Sequence, residues 1–326
     1  MSALDVALLT TLRAASVHLP LSELAATMRT GDALIADRVE ALRQAGFEIE
    51  ARPSLGLRLL ASPDRLIADD LRARLGPSRF TREIIVLAET DSTNERAAHL
   101  GRSGGLGGTA IFAEGQTAGR GRFGRRWDSA RNLGLWCSLL LRPPLPSVHW
   151  PRLTTWAAVA VARAIEANAP VRAEIKWPND VLLNGRKVAG MLLETGVDGG
   201  GAGFVVVGIG INVNHTPEDF PEELRQTATS LRLEALRETL RPQLAAALLA
   251  ELEGLSAQLE SNFLALREEA ARRSSLLGEW VSVRTGDQMM HGNAEALDEE
   301  GRLLLRTSDG TLHCLNAGEA TLRPES

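Results

Sequence analysis

This chain of 326 residues has no tyrosine, and of its 36 basic residues only Lys176 and Lys187 are lysine. Any aromatic stacking therefore falls to a few Trp and Phe residues. Cysteine is almost as scarce: Cys137 and Cys314 are the two, without metal-ligand spacing. That excludes a cysteine-built metal site and leaves reduced thiols, or at most one disulfide. There is no excess of positive charge either. A formal net charge of −5 provides no general attraction to nucleic acid or to an acidic membrane, so DNA binding would need a local basic face. No segment approaches the roughly 18–20 apolar residues of a membrane span, and the first residues lack a basic n-region. The expectation is a cytoplasmic protein without membrane association. No repeat of fixed period and no low-complexity tract is present. With 44% hydrophobic and 24% charged residues, the rest is ordinary globular composition, long enough for two or three domains.

Both lysines fall in one stretch, Glu174-Ile-Lys-Trp-Pro-Asn-Asp-Val-Leu-Leu-Asn-Gly-Arg-Lys-Val-Ala-Gly190. A bias toward Arg explains the other positions but not this clustering. An ammonium is a compact, mobile point charge, whereas a guanidinium is a planar fork. The clustering points to a site for anionic chemistry, with chance as the alternative.

The pattern divides the chain in three. In residues 1–62, apolar stripes at Leu8, Leu9 and Leu12, at 21–28, and at Ile35, Val39 and Leu42 read as three helices. Gly46 follows as a stop, then strands around 47–50 and 57–60 flank the turn Pro53-Ser-Leu-Gly56. Helix-turn-helix plus a two-stranded wing resembles the winged-helix DNA-binding module. Its charge is balanced: Arg13, Arg29, Arg38, Arg43, Arg52 and Arg58 against Asp5, Glu23, Asp32, Asp37, Glu40, Glu48 and Glu50. The third helix carries three of those acids, which phosphates would repel.

Residues 63–80 read as a linker with a short helix. Residues 81–273 alternate strands (84–88, 109–113, 133–141, 204–213) with helices (150–167, 241–273), as in a mixed α+β domain with helices on one sheet. Asn184-Gly185 predicts a two-residue type I′ hairpin. Residues 274–326 hold short strands at 280–284, 293–297, 302–306 and 311–315, separated at Gly286, Gly301 and Gly310, in the manner of an SH3-like barrel.

Five segments carry chemistry. Gly115-Gln-Thr-Ala-Gly-Arg-Gly-Arg-Phe-Gly-Arg-Arg-Trp127 places Arg120, Arg122, Arg125 and Arg126 among Gly119, Gly121 and Gly124. Such a loop repels itself and is expected to stay mobile until an anion neutralises it. Trp127 offers a flat face to a nucleobase. The loop spells G-x-G-x-x-G but leads to a strand, with Leu141-Arg-Pro-Pro-Leu where a dinucleotide site needs an acid. No Gly-Lys-Ser/Thr completes a P-loop. Lys176-Trp-Pro-Asn-Asp180 joins an ammonium, an amide and a carboxylate; Asp180 suits a metal ligand, a weak base or a turn cap. Alternation puts Lys187 and Ala189 on one strand face, Val188 and Gly190 on the other. Glu89-Thr-Asp-Ser-Thr-Asn94 suits a polar ligand or, preferably, a helix cap. Gly208 and Gly210 in a strand imply close approach by a ligand or another backbone.

In this order and spacing, Asp91-Ser-Thr-Asn94, Gly119-Arg-Gly-Arg-x-Gly-Arg-x-Trp127, Lys176-Trp-Pro-Asn-Asp180, Gly185-Arg-Lys-Val-Ala-Gly190 and Gly208-x-Gly-Ile-Asn212 resemble the biotin–protein ligases. The N-terminal part resembles the bifunctional class that also represses the biotin operon. The resemblance implies a central domain like the class II synthetase-like biotin/lipoate ligases. It implies biotin and MgATP as reactants, a biotinyl-5′-adenylate intermediate, and a lysine of a carboxyl-carrier protein, such as that of acetyl-CoA carboxylase, as acceptor. A ligand-promoted homodimer and operator DNA are further implied partners. Ser92, Thr93, Asn94 and Gln116 would meet biotin, with Gly119, Arg120, Gly190, Gly208 and Gly210. Arg122 and Lys187 would hold its carboxylate and the phosphates. Arg125, Trp127, Lys176, Asn179, Asp180 and Asn212 would line the ATP side, with Arg122, Lys187 and Asp180 catalytic and Asp180 the Mg²⁺ ligand. A regulator binding the adenylate only as effector, and a lipoate ligase, are the rival readings.

Overall fold

The computed structural model describes residues 3–80 and 82–322. The outer ends expected for the first and last parts, and Thr81, where the central part is expected to begin, lie outside them. Three helices open the chain, α1 (Ala3–Ala14), α2 (Leu21–Thr27) and α3 (Asp32–Gln44), followed by the antiparallel pair β1 (Glu48–Arg52) and β2 (Gly56–Ala61). The predicted stripes face inward: Leu8, Leu9, Leu12, Ile35, Val39 and Leu42 close a small core with Phe47 and Ile49. These helices and the hairpin fit a winged helix.

The segment expected as a linker with a short helix holds that helix, and it packs against the cores on both sides. Helix α4 (Ala68–Leu75) sends Leu71 into the main core and Ala73 into the N-terminal one, and Leu66 is also buried in the main core. Its apolar residues were too few to announce this packing in advance.

A seven-stranded mixed sheet follows. Its strands are β3 (Glu83–Leu87), β4 (Thr109–Ala113), β5 (Gly134–Leu141), β6 (Glu174–Lys176), β7 (Asp180–Leu183), β8 (Arg186–Val197) and β9 (Gly203–Asn212), in the order β3-β4-β5-β9-β8-β7-β6. The β3–β4 pair is parallel and the other pairs are antiparallel. Strand β9 shows why the two faces differ. Val205, Val207, Ile209 and Ile211 enter the main core, while Phe204 and Val206 pack with Ala97 of α5 (Thr93–Arg102) on the opposite face.

The main-core face is covered by α6 (Arg152–Asn168), α8 (Arg241–Ser261) and α9 (Phe263–Arg272); a short α7 (Leu231–Ala235) precedes α8. Helix α6 is buried on nearly every side, and its Ala-rich sequence lets sheet and α8 approach closely. The helix expected across 241–273 breaks at Asn262.

A five-stranded antiparallel sheet ends the chain: β10 (Trp280–Thr285), β11 (Gln288–Leu297), β12 (Leu303–Arg306), β13 (Leu312–Leu315) and β14 (Glu319–Leu322), in the order β13-β12-β11-β10-β14. Strand β11 starts earlier than its sequence suggests, and β14 was not expected. This sheet docks through Trp177, whose side chain joins its core and donates Nε1–H to Gly301 O at 3.2 Å. Arg152 adds an ion pair to Glu300 at 2.5 Å. Both cysteines are free thiols, and burial raises the pKa of Cys137. Among the described residues no helix is long and apolar enough to cross a membrane.

Candidate functional site

On the face that α5 covers, the sheet is left bare beyond the start of that helix, and a cavity of about 560 Å³ opens there. That size lies within the roughly 300–1,000 Å³ of small-molecule sites. All but one of the residues expected to bind line it: Ser92, Thr93, Asn94, Gln116, Arg120, Arg122, Arg125, Trp127, Lys176, Asn179, Asp180, Lys187, Gly190, Gly208, Gly210 and Asn212. Gly119 is the exception. It is buried in the base of the loop, where its carbonyl accepts the Trp127 N–H at 2.9 Å. A Cβ there would lie 2.5 Å from Trp127 O, so glycine is needed to close the loop.

One end is lined with hydroxyls and amides. The α5 N-terminus is not capped by its own Ser92; instead Gln116 Oε1, from the basic loop, accepts from Thr93 N at 2.8 Å and from Thr93 Oγ1 at 3.1 Å. The cap expected within residues 89–94 is thus supplied from a distant segment, and the Ser92 hydroxyl is left for the cavity. Asp91 accepts from the backbone N–H of Ser92 and from Thr90, which holds its pKa below the usual carboxylate range. Asn94 is largely committed to the protein: it donates to Glu194 Oε2 at 2.7 Å and accepts from Ser138 Oγ at 2.6 Å.

The glycines are filled by side chains, not by a backbone. A Cβ on Gly208 would meet Asn94 Oδ1 at 2.1 Å. A Cβ on Gly210 would meet Trp127 Nε1 at 2.6 Å, and one on Gly190 would meet the same indole at 2.9 Å. Trp127 therefore lies in a cradle that only glycines on two neighbouring strands allow.

Strand alternation fails at Lys187. Leu182 pairs with Lys187 but Val181 with Ala189, so Val188 is an extra residue in a β-bulge. Val188 and Ala189 both turn to the core, and Lys187 and Gly190 both line the cavity. This corrects the face expected for Lys187. Its backbone pairs instead with the strap after β9, donating to Thr227 O at 2.8 Å and accepting from Thr229 N at 2.9 Å. Its Nζ stands 2.7 Å from Asp180 Oδ1 and 5.1 Å from the Trp127 ring centroid.

Acids from elsewhere counter part of the charge of the basic loop, although Arg125 still repels Arg122. Arg120 pairs with Glu194 at 2.9 Å and Glu95 at 3.3 Å; Arg125 pairs with Glu319 at 2.5 Å. Arg122 donates to Asn179 Oδ1 at 3.0 Å and Gly318 O at 3.2 Å. Burial lowers the Arg122 pKa, against the pull of Asp180 and Glu319, yet a guanidinium stays charged.

Sequence reasoning missed two parts of the lining. The strap supplies His215, stacked on Phe220 at 5.0 Å between ring centroids, and the C-terminal sheet supplies Gly318 to Thr321. Burial pushes His215 down to about 4, so its imidazole is neutral near pH 7. Among the described residues no three His, Cys, Asp or Glu side chains gather to hold a metal. The cavity thus combines hydroxyls and amides, the cations of Arg122 and Lys187 near Asp180, and an aromatic cradle.

The comparisons agree with that composition. Residues 86–212 match the Biotin/lipoate A/B protein ligase family, and residues 276–323 match the Biotin protein ligase C terminal domain. The chain is 37% identical over 273 residues to the bifunctional ligase/repressor BirA of Bacillus subtilis, covering 83% of this chain and 84% of that protein. It is 38% identical over 239 residues to the biotin–[acetyl-CoA-carboxylase] ligase of Paracoccus denitrificans, covering 69% and 95%. The biotin protein ligase of Aquifex aeolicus, solved with biotin and ATP, aligns with a TM-score of 0.65 at 32% identity, over 74% of this chain and 99% of that one. By sequence along most of its length and by fold, this chain belongs to the biotin protein ligase family.

Proposed function

We propose that the chain joins biotin to ATP as biotinyl-5′-adenylate, releasing pyrophosphate, and then passes the biotinyl group to a lysine of a biotin carboxyl-carrier protein. The observation that carries the reading is that Arg122 and Lys187 both stand near Asp180 in one cavity that Ser92, Thr93, Gln116 and Trp127 also line. In the first step a carboxylate oxygen forms a bond to the α-phosphorus and the bond to pyrophosphate breaks. Two anions must approach, and fixed cations beside them reduce that repulsion. Ser92, Thr93 and Gln116 orient the biotin ring system, Arg122 and Lys187 hold its carboxylate against the phosphate, and Trp127, Asn179 and Asn212 position the nucleotide. In the second step the acceptor amine attacks the acyl carbon of the mixed anhydride and AMP leaves.

Asp180 is a single carboxylate already engaged by Lys187, which fits a Mg²⁺ carried mainly by phosphate oxygens and water, as is usual for that ion. Bound there, Mg²⁺ would neutralise charge on the leaving pyrophosphate. Biotin-dependent exchange of pyrophosphate into ATP tests the first step.

The intact Arg122–Lys187 pair argues against a regulator that only binds the adenylate, and the Gly119–Trp127 loop favours biotin over lipoate. We read residues 1–62 as a winged helix-turn-helix and 63–80 as the connection. We read 81–273 as a class II synthetase-like ligase domain and 274–326 as an SH3-like barrel, in a cytoplasmic protein. Repression is the second reading, favoured by the N-terminal helices and by the name of the Bacillus subtilis relative. The exposed side of α3 carries Asp32, Asp37 and Glu40, so one copy would hold DNA weakly, and a ligand-promoted dimer would be the operator-binding form.

A further inference from the structure

Arg241 opens α8 with 1% of its surface exposed, and every group of its guanidinium is bonded. Nη1 donates to Glu114 Oε2 at 2.5 Å, Nε to Asp64 Oδ2 at 3.0 Å and Nη2 to Asp64 O at 2.6 Å. The Arg241 backbone N–H adds a bond to Asp64 Oδ1 at 2.7 Å. Glu114 uses its other oxygen, Oε1, to accept from Leu66 N at 2.8 Å. A buried arginine and a buried carboxylate thus clamp residues 64–66, the stretch that leaves the N-terminal unit.

Glu114 is also the residue from which the binding loop departs. Its N–H donates to Leu87 O and its carbonyl accepts from Asn132 N, both at 2.9 Å. Two residues on, Gln116 caps α5 at Thr93 and holds Ser129 Oγ at 2.8 Å. The bonded series therefore runs from Asp64 through Arg241 and Glu114 to Gln116 and Thr93. A buried ion pair is poor evidence of stability, since apolar residues of similar volume often serve as well; what removing one partner does cost is an uncompensated buried charge.

We propose that Arg241 is a positioning residue for the biotin end of the cavity, linking the placement of residues 64–66 to biotin affinity. The inference rests on the ligase reading above. Linkage is reciprocal, so filling the cavity stiffens the clamp as much as the clamp assists filling.

The test uses full-length protein: wild type, Asp64→Asn, Glu114→Gln and Arg241→Lys. The Asp64 side chain is 34% exposed, so its amide variant disturbs packing little. The biotin KM for pyrophosphate exchange is expected to rise about tenfold in Asp64→Asn and Arg241→Lys, with kcat and the ATP KM within about twofold. Hydrogen exchange across residues 62–67 is expected to slow on adding biotin and ATP to wild type, and to stop responding in Glu114→Gln. An unchanged biotin KM in variants whose Tm has fallen would overturn the proposal, as would wild-type exchange at 62–67 that ignores ligand. A wild-type protein without biotin-dependent exchange would overturn the ligase reading and this inference with it.

Discussion

Lys187 Nζ and Asp180 Oδ1 stand 2.7 Å apart, each from a different strand of one hairpin, because the bulge at Val188 turns Lys187 out of the core and into the cavity. Without the extra residue the ammonium would lie on the other face. The charge of this site is thus placed by an irregularity of the backbone.

Lys187→Arg is expected to lower the rate of adenylate formation about 100-fold or more, the scale of losing one transition-state donor, although charge is kept. The Lys187 Nζ lies between Asp180 Oδ1 and the Trp127 ring, at 2.7 Å and 5.1 Å, and a longer planar fork cannot place a single point charge there. Single-turnover adenylation with a matched Tm checks this, and wild-type rates in the variant would refute it.

Gly210→Ala puts a methyl 2.6 Å from Trp127 Nε1 and should lift the indole from its cradle. The ATP KM should rise about tenfold, on the scale of one stacked base, while the biotin KM stays close to wild type. Steady-state kinetics with each substrate varied in turn decides the matter; equal rises in both would show a general collapse of the cavity.

His215 makes stability depend on pH. Its folded pKa is depressed from 6.5 to about 4, chiefly by burial, against the pull of Asp219 and Asp128. Folding therefore favours the neutral ring, and this contribution is complete above about pH 6.5 and is lost as pH falls toward 4. The loss amounts to roughly 3 kcal/mol. Urea unfolding of wild type and His215→Asn at both ends of that range should show the shallower dependence in the variant; parallel curves would exclude this role.

Much of this site is legible in the sequence, for identifiable reasons. The glycines at 119, 208 and 210, the clustered arginines and the confined lysines are local signals, and local signals survive reading one residue at a time. The bulge at Val188 has none, because period-two reasoning assumes unbroken pairing. The countercharges of the loop, Glu194 and Glu319, come from distant strands, and so does the Gln116 cap on α5. His215 and Phe220 sit in an irregular strap without periodicity, and Leu66 and Leu71 reach the core from a stretch too polar to suggest it.

Glu319→Gln removes the partner of Arg125, and the amides of residues 120–126 should then exchange faster in unliganded protein. An exposed pair of this kind contributes only about 0–1 kcal/mol, so the effect should be a few-fold and should vanish once the adenylate fills the site. Equal exchange in both proteins without ligand would show that Glu319 does not order the loop.

DNA binding should require both biotin and ATP, and should coincide with dimer formation, because one copy presents Asp32, Asp37 and Glu40 on the exposed side of α3. Anisotropy titrations against its own upstream DNA, run beside sedimentation, would show this; specific binding by an unliganded monomer would contradict it.

The most direct measurement is transfer of labelled biotin from ATP-containing mixtures to a purified biotin carboxyl-carrier domain. The account predicts ATP-dependent incorporation at one acceptor lysine, slowed about 100-fold or more by Lys187→Arg and not supported when lipoate replaces biotin. Adenylate that forms but never transfers, or a preference for lipoate, would contradict it.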